Sequence, residues 1–196
     1  ATDLPVLETC DPVEPSTEDM LNRAAEAEEA MLGVEGITNS GGASAGWTKS
    51  SLVIATTNGF LGSVQSTRQG LSVSGIAGEG EAQKRDYDYS LAVFGEDLKD
   101  AREIGLEAGR RSVRQLGAKQ GATAQVPVIF EPRVAVRMFA LLMGAINGES
   151  VVRGTSLLAD HVGKPVIAPG LSVFEAPFRE RGQGSRPFDG EGLPVR

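Results

Sequence analysis

The order of apolar and polar residues first predicts an amphipathic helix near the start of the chain. Four apolar residues recur at steps of four, three and four, the spacing of one buried helix face: Met20, Ala24, Ala27 and Met31. Ser16 is a suitable N-cap, and the acids Glu18 and Asp19 complement the exposed amides of the first turn. Gly33 is suited to end the helix.

Residues 47–76 carry the pattern of an antiparallel hairpin. The segments 47–57 and 60–76 are both rich in Val, Ile, Thr and Ser, which are typical of strands. The pair Asn58-Gly59 between them suits the positive φ angles of a tight turn. We therefore expect two antiparallel strands that are joined at this pair.

Strict alternation from residue 84 to residue 93 predicts a further strand with one covered face and one wet face. The side chains that point one way are those of Arg85, Tyr87, Tyr89, Leu91 and Val93. The side chains that point the other way are those of Lys84, Asp86, Asp88 and Ser90. Together with Glu81, the two aspartates form an acidic stripe that we expect on the wet face.

A second amphipathic helix is predicted over residues 97–116. Its buried side is marked by Leu98, Ala101, Ile104, Ala108 and Leu116. Acids stand at its start, and three cations near its end match the helix dipole: Arg110, Arg111 and Arg114. The same arginines could form a basic patch for nucleic acid, but the dipole accounts for them equally well. Gly117 is suited to end the helix.

Beyond a small, polar stretch at residues 117–125, the pattern predicts a second domain. Residues 126–130 are predicted to form a short apolar strand. The helix predicted over residues 133–146 carries only the charges of Arg133 and Arg137, so we expect it to be buried on most sides. The glycine-rich remainder predicts short strands and loops.

These elements define an α+β fold: an antiparallel sheet with flanking helices, followed by the start of a β-rich domain with one buried helix. The predicted domains are a proline-spaced linker over residues 1–15, an α/β region over residues 16–117, a linker over residues 118–125 and a C-terminal β-rich domain over residues 126–196. Because the end of the last domain has little to bury, we expect that domain to be incomplete.

Composition and charge narrow the choice of function. The 196 residues carry a formal net charge of −7, which argues against nucleic acid or an anionic membrane as the main partner. One cysteine, Cys10, and one histidine, His161, exclude a disulfide within this sequence and every motif that needs two histidines. No apolar run is long enough for a bilayer helix, and no secretory signal opens the sequence, so we expect a cytoplasmic protein.

Two candidate reactive sites are weak. The run Gly42-Ala43-Ser44-Ala45-Gly46 fits the G-x-S-x-G pattern of a hydrolase nucleophile, and His161 follows in the right order. The segment after Gly46 is predicted to be a strand, whereas that nucleophile needs a strand-to-helix turn. Asp160-His161 supplies two metal ligands without an obvious third.

Several separated patches resemble the TldD/PmbA family in order and spacing. They are Ile37-Thr38-Asn39-Ser40-Gly41, Asn58-Gly59-Phe60, Arg85-Asp86-Tyr87, Pro127-Val128-Ile129-Phe130, Arg153-Gly154-Thr155-Ser156, Pro187-Phe188-Asp189 and Glu191-Gly192. The first three are similar to the PmbA branch, whose members are the TldE-type subunits. Family members are much longer than this chain, which resembles their interior.

The resemblance implies a bacterial cytoplasmic protease of two related subunits, TldD and TldE, which trims peptides and degrades unfolded small proteins. The TldD-type subunit carries a zinc-binding H-E-x-x-x-H helix before its own segment like Arg153-Gly154-Thr155-Ser156. Alignment without gaps places those three positions at Phe139, Ala140 and Gly144, none of which can bind zinc. We therefore expect no catalytic, cofactor or metal residue in this chain, and zinc in a TldD-like partner subunit.

The expected role is to help enclose and bind unfolded peptides for that partner, because strand edges offer backbone hydrogen bonds irrespective of side chains. Neither nucleic acid nor a membrane is expected as a partner, and a homodimer is an option when the subunit is alone. Two alternatives stay open: a serine hydrolase that uses Ser44, and a gyrase-associated regulator, since the family is also named modulator of DNA gyrase.

Overall fold

A three-stranded antiparallel sheet organises the larger part of the chain. The structure, a computed structural model, describes residues 4–195. It divides into two units, one formed by residues 4–119 and 175–195 and the other by residues 120–174. The first three residues of the predicted N-terminal linker and the last residue of the predicted C-terminal domain lie outside the described residues. The proposed domain boundaries stay a prediction.

Helix α1 spans Thr17–Leu32 and confirms the first predicted helix. The hydroxyl of Ser16 accepts a hydrogen bond from the Asp19 amide at 3.0 Å, and the Asp19 carboxylate accepts one from the Ser16 amide at 3.1 Å. This reciprocal cap satisfies amides that would otherwise lack partners. Hydrogen bonds from the hydroxyl and then the amide of Ser16 lower the pKa of Asp19. Ala27 and Met31 of the predicted apolar stripe are buried.

Strands β1 (Ile37–Ala55), β2 (Leu61–Ala77) and β3 (Lys84–Ala92) pair antiparallel in the order β1-β2-β3. The predicted hairpin turn is confirmed, with Gly59 at a φ of +89°. β1 begins earlier than the pattern predicted. Its glycine-rich stretch at residues 41–46 lacks the branched side chains that identify a strand in sequence.

Helix α2 spans Ala101–Arg114 and packs with α1 on one face of the sheet. Its N-cap is Asp100, whose carboxylate accepts a hydrogen bond from the Glu103 amide at 3.0 Å. The predicted start at residue 97 instead falls in a short 3-10 turn. The two helices and β2 share a core that consists of Ala27, Met31, Leu71, Val73, Ala101, Ile104 and Ala108.

The two helices approach closely because α2 presents glycines to α1 and the loop after it. A Cβ atom on Gly105 would lie 2.2 Å from the carbonyl oxygen of Ala27 and 2.9 Å from the Cβ of Ala30. A Cβ atom on Gly109 would lie 2.6 Å from the side chain of Val34. Glycine is therefore required at these positions for space.

The acidic face of β3 is covered, which corrects the expectation from the alternation. Asp86, Asp88 and Ser90 are each 7% exposed and face α2. Tyr87 and Tyr89, on the opposite face, are each 44% exposed. The prediction that the aspartates lie on the wet face was wrong, because α2 supplies polar partners for them.

The proline-rich segment before α1 lies along β2. The carbonyl oxygen of Thr9 accepts a hydrogen bond from the Thr67 amide at 2.9 Å. The carboxylate of Asp11 accepts hydrogen bonds from the Gly95 amide at 2.8 Å and from the side chain of Gln69 at 2.9 Å. Thr9 and Asp11 are both buried, so this part of the predicted linker is fixed to the sheet.

The unit of residues 120–174 contains α3 (Pro132–Ala145), α4 (Gly148–Val152) and turns. α3 confirms a predicted helix, but the expectation that it is buried was wrong: none of its residues is buried, and Leu141 is 69% exposed. Residues 126–130 form no strand, which corrects a second expectation, because no strand within this unit pairs with them. Although α3 is apolar, neither it nor any other helix between residues 4 and 195 is long and apolar enough to cross a bilayer.

Replacing Gly105 by alanine should destabilise the packing of α1 against α2, because the new methyl group overlaps the carbonyl oxygen of Ala27. We expect Gly105→Ala to lower the free energy of unfolding by about 2 kcal/mol, as overpacking usually does. Urea titration followed by circular dichroism measures the change.

The matched control is Gly144→Ala in α3, where a new Cβ would meet no atom within 4 Å. This variant should be at least as stable as the parent protein, because alanine favours the helix more than glycine does. If Gly105→Ala is as stable as the parent, the close packing of the two helices is contradicted.

Candidate functional site

Helix α3, which the resemblance matches to the zinc helix of a TldD-type subunit, contains no His, Cys, Asp or Glu residue. Phe139, Ala140 and Gly144, the three positions matched to H-E-x-x-x-H, are exposed along α3. Their side chains offer no lone pair to a metal ion. Between residues 4 and 195, no group of three or more His, Cys, Asp or Glu residues is placed to hold a metal ion. The residues present therefore do not fit a zinc site.

Ser44 lies in the middle of β1, where it pairs with Ser72 of β2. A hydrolase nucleophile elbow needs a sharp turn from strand to helix, but β1 continues as a strand to Ala55. His161 belongs to the other unit, ends the 3-10 turn Ala159–His161 and is exposed, as is its neighbour Asp160. The backbone at Ser44 is therefore not that of a hydrolase nucleophile.

The aspartates of β3 belong to a buried polar network under α2. The Nη1 atom of Arg111 lies 2.6 Å from Oδ1 of Asp88. The hydroxyl of Ser112 accepts a hydrogen bond from the Asp86 amide at 3.1 Å, and the side chain of Gln115 donates to the Asp86 carboxylate. The predicted acidic stripe is thus part of the fold, and one member of the arginine trio is its counter-ion.

Arg181 is the centre of a charged cluster that the sequence did not predict. Its guanidinium lies 4.1 Å from the centre of the Phe94 ring and forms ion pairs with Glu8 at 3.2 Å, with Asp97 at 3.4 Å and with Glu96. Hydrogen bonds to Glu96 and then Glu8 raise the pKa of Arg181. Its φ of +51° is uncommon for a residue with a side chain. These residues are far apart in sequence, so no local pattern could reveal the cluster.

The patch Pro187-Phe188-Asp189, which contributed to the family resemblance, leads into a tight turn over residues 189–193. The ring centre of Phe188 lies 5.3 Å from that of Phe60, at the end of the β1–β2 hairpin. The carboxylate of Asp189 accepts hydrogen bonds from the amides of Glu191 and Leu193, each at 2.9 Å. The Leu193 amide is the main reason that the pKa of Asp189 is lowered. The role of this patch in the fold is therefore structural.

β1 presents an open hydrogen-bonding edge. It lies at one side of the sheet, and no strand between residues 4 and 195 pairs with its outer edge. Its single charged residue is Lys49, and it contains no proline, so few features oppose pairing with another chain. On the other side of the sheet, a carbonyl group of β3, that of Leu91, accepts a hydrogen bond from the side chain of Gln183 at 2.7 Å.

Comparison with known families defines the class of protein. The sequence model described as PmbA/TldA metallopeptidase central domain matches residues 10–116, which contain α1, α2 and the whole sheet. The one described as PmbA/TldA metallopeptidase C-terminal domain matches residues 123–196. Residues 10–116, which contain the sheet and its two helices, therefore correspond to the central domain of a class of metallopeptidases. The chain belongs to the PmbA/TldD metallopeptidase family.

Individual relatives agree with this assignment. The chain is 36% identical to Metalloprotease PmbA of Escherichia coli O157:H7 and 34% identical to a Metalloprotease PmbA homolog of Haemophilus influenzae. Each match covers 98% of this chain and 43% of the relative. The chain thus spans less than half the length of these curated relatives.

Solved structures share the fold. A crystal structure from Bacteroides thetaiotaomicron VPI-5482, assigned as a modulator of DNA gyrase, matches with a TM-score of 0.90 and 27% identity, over 98% of this chain and 44% of that one. TldE from Thermococcus kodakarensis matches with a TM-score of 0.65 and 15% identity, over 100% of this chain and 46% of that one. At 15% identity, the second likeness concerns the fold alone.

Removal of the Arg111 cation should destabilise the fold, because the Asp88 carboxylate, whose side chain is 9% exposed, loses its counter-ion. We expect Arg111→Met to lower the free energy of unfolding by about 3 kcal/mol, as for other broken buried pairs. Arg110→Met, at an exposed position of the same helix, should change it by less than about 0.5 kcal/mol.

The double variant Asp88→Leu/Arg111→Met should recover part of the stability lost in Arg111→Met, since the buried Asp88 charge is removed together with its counter-ion. Glu107, the other partner of Arg111, has a side chain that is 36% exposed and can be hydrated. Urea titration of all four proteins measures these differences. Equal stability of Arg111→Met and Arg110→Met is the result that would refute the counter-ion role.

Asp189 should titrate below 3.8, its ordinary pKa, because backbone amides, that of Leu193 first, favour the charged carboxylate. A carboxyl group with a lowered pKa stabilises the folded turn above its ordinary pKa, and this contribution disappears as the pH falls through the lowered value. NMR titration of the Asp189 side chain measures the midpoint, and a midpoint at or above 3.8 would contradict the hydrogen bonds. At neutral pH, Asp189→Asn should speed hydrogen exchange of the Leu193 amide, whereas Glu191→Gln should not.

Proposed function

We propose that this chain is part of the non-catalytic, TldE-type subunit of a two-component cytoplasmic peptidase. In this proposal the subunit helps to bind and enclose unfolded peptides, and a TldD-like partner holds the zinc that activates water. The observation that carries the proposal is the composition of α3 at the three positions matched to H-E-x-x-x-H. Phe139, Ala140 and Gly144 supply neither lone pairs for zinc nor a carboxylate that could accept a proton.

The charges of α3 also support a non-catalytic role. The two charged side chains of the helix are those of Arg133 and Arg137, and both would repel a divalent cation. Arg133 pairs with Glu131 at 3.2 Å, so this nearby carboxylate already has a cationic partner. The side chains of α3 would therefore repel a metal ion and would not coordinate it.

The role that remains is binding, and the outer edge of β1 suits it. An edge strand offers its free N–H and C=O groups to an extended peptide, and this pairing is independent of the peptide side chains. Most backbone groups of a folded protein are already paired internally, which would favour unfolded chains as substrates. Lys49 and Arg68 are the two charged residues of β1 and β2, so the hairpin carries no carboxylate that would repel an acidic peptide.

Reconstitution with the TldD-like partner tests this division of labour. We expect the mixture of both subunits to cleave labelled casein, and each subunit alone to cleave it far more slowly. A chelator should stop cleavage, and elemental analysis of the separated subunits should find zinc in the partner. Replacing the glutamate of the partner's H-E-x-x-x-H by glutamine should abolish cleavage, whereas Phe139→Ala in this chain should leave it unchanged.

Two results would overturn the proposal. Zinc-dependent cleavage by this protein alone would refute the non-catalytic assignment. Cleavage by the partner alone at the full rate of the mixture would refute a contribution of this chain to substrate binding or enclosure.

A further inference from the structure

The sheet has a groove on the face that points away from α1 and α2. This outer groove has a volume of about 320 Å³. It is lined by Ser44, Gly46, Gly70, Leu71, Ser72, Tyr89 and Leu91, and of these Leu71 is buried. It lies on β1, β2 and β3 together, next to the open edge of β1.

The groove has a flat floor and one raised wall. Its floor consists of two cross-strand pairs without large side chains, Ser44 with Ser72 and Gly46 with Gly70. Its wall is formed by Tyr89 and Leu91 of β3, which are 44% and 46% exposed. A floor without bulk beside an apolar wall leaves room for a side chain from another molecule.

The wall is held in place by its neighbours. The ring of Tyr89 stacks on that of Tyr87, with 6.1 Å between the ring centres. The side chain of Leu91 leans over Gly70, and a Cβ atom on this glycine would lie 2.8 Å from Cδ2 of the leucine. Gly70 is therefore needed for the shape of the wall, whereas a Cβ on Gly46 would meet no atom within 4 Å.

The charges on the outer face all have one sign. Arg68 of β2 and Arg85 of β3 point outward, and no carboxylate stands at an outward position of the three strands. Arg85 crosses the sheet and donates hydrogen bonds to the hydroxyl of Ser74 at 2.8 Å and to the carbonyl oxygen of Gly41 at 3.2 Å. In a chain with a net charge of −7, this cationic face complements an acidic ligand.

We propose that the outer groove and the two arginines bind an extended, acidic peptide with one large apolar side chain against Tyr89 and Leu91. The inference rests on the proposed function and names the class of peptide that the subunit selects. Arg68 and the β2 residue opposite Arg85, Ile76, are eight positions apart, roughly 26 Å along a strand, so about eight residues of an extended peptide would span them.

Single-stranded nucleic acid is the other ligand that stacked tyrosines beside arginines can bind. Its affinity depends on many phosphate contacts, and this face offers two cations in a strongly acidic chain. A peptide needs only as many acidic groups as the face has arginines. It can also use the backbone groups at the adjacent edge of β1, so the observations favour a peptide.

The test measures fluorescence anisotropy of a short labelled peptide on the intact protein. The peptide has a central leucine flanked by glycines and glutamates, and a second peptide has lysines in place of the glutamates. We expect the acidic peptide to bind more tightly than the basic one, with weaker binding at high salt. Gly46→Phe fills the groove and should reduce affinity about tenfold, as loss of a central contact does.

Ser63→Phe is the matched control, because Ser63 is an exposed strand residue that pairs with Val53 and points to the opposite face of the hairpin. It should bind like the parent protein. Arg68→Glu should weaken binding of the acidic peptide and strengthen binding of the basic one. Circular dichroism of each variant confirms that the fold is kept, and Tyr89→Ala provides a second groove variant.

Three outcomes would overturn the inference. The first is equal affinity for the acidic and the basic peptide. The second is unchanged peptide binding by the folded variants Gly46→Phe and Tyr89→Ala. The third is tighter binding of labelled oligothymidine than of the acidic peptide. Reconstituted cleavage distinguishes these from failure of the proposed function. If the mixture cleaves casein but Gly46→Phe has no effect on peptide binding, the groove is not the peptide site and the assignment as a TldE-type subunit stands. If the peptide binds in the groove but the mixture does not cleave, the assignment is wrong.

Discussion

The fold depends on the ability of α2 to cover a polar strand face. β3 turns Asp86 and Asp88 toward this helix, and burial of such groups without partners would be costly. Arg111 and Ser112 offset that cost with a counter-ion and a hydroxyl. Because side chains alternate along a strand, covering the aspartates sends Tyr87 and its neighbours to the outer face. The contact between α2 and β3 thus determines which side chains of β3 are buried and which are exposed on the outer face.

The two edges of the sheet differ for a related reason. The C-terminal segment reaches the β3 side, where Gln183 bonds to a strand carbonyl and Arg181 joins acids from separate parts of the chain. No strand between residues 4 and 195 pairs with the outer edge of β1. The open edge therefore lies beside an outer face whose charged side chains are Arg68 and Arg85. The peptide role proposed for this metallopeptidase family member uses these two adjacent surfaces.

The helix start and the hairpin turn could be predicted from the sequence, because neighbouring residues determine both. The reciprocal cap of Ser16 and Asp19 starts α1, and Asn58-Gly59 turns the hairpin. The predictions that failed needed a partner from elsewhere. Residues 126–130 have strand composition but no strand to pair with, and α3 has an apolar surface that its own unit does not cover. The Arg181 cluster could not be predicted from the sequence, because its members are far apart in the chain.

The sequence by itself determined which side chains can do chemistry. The side chains at Phe139, Ala140 and Gly144 cannot bind a metal ion whatever surrounds them, because ligation needs lone pairs and these side chains have none. The alternation of β3 likewise determined that the strand has two unlike faces. Only the tertiary structure decided which face of β3 is buried. A covering helix with polar partners buries the polar face, whereas one with an apolar surface buries the apolar face. Arg111 and Ser112 are outside β3 in the sequence. The alternation of residues within the strand therefore carries no information about them.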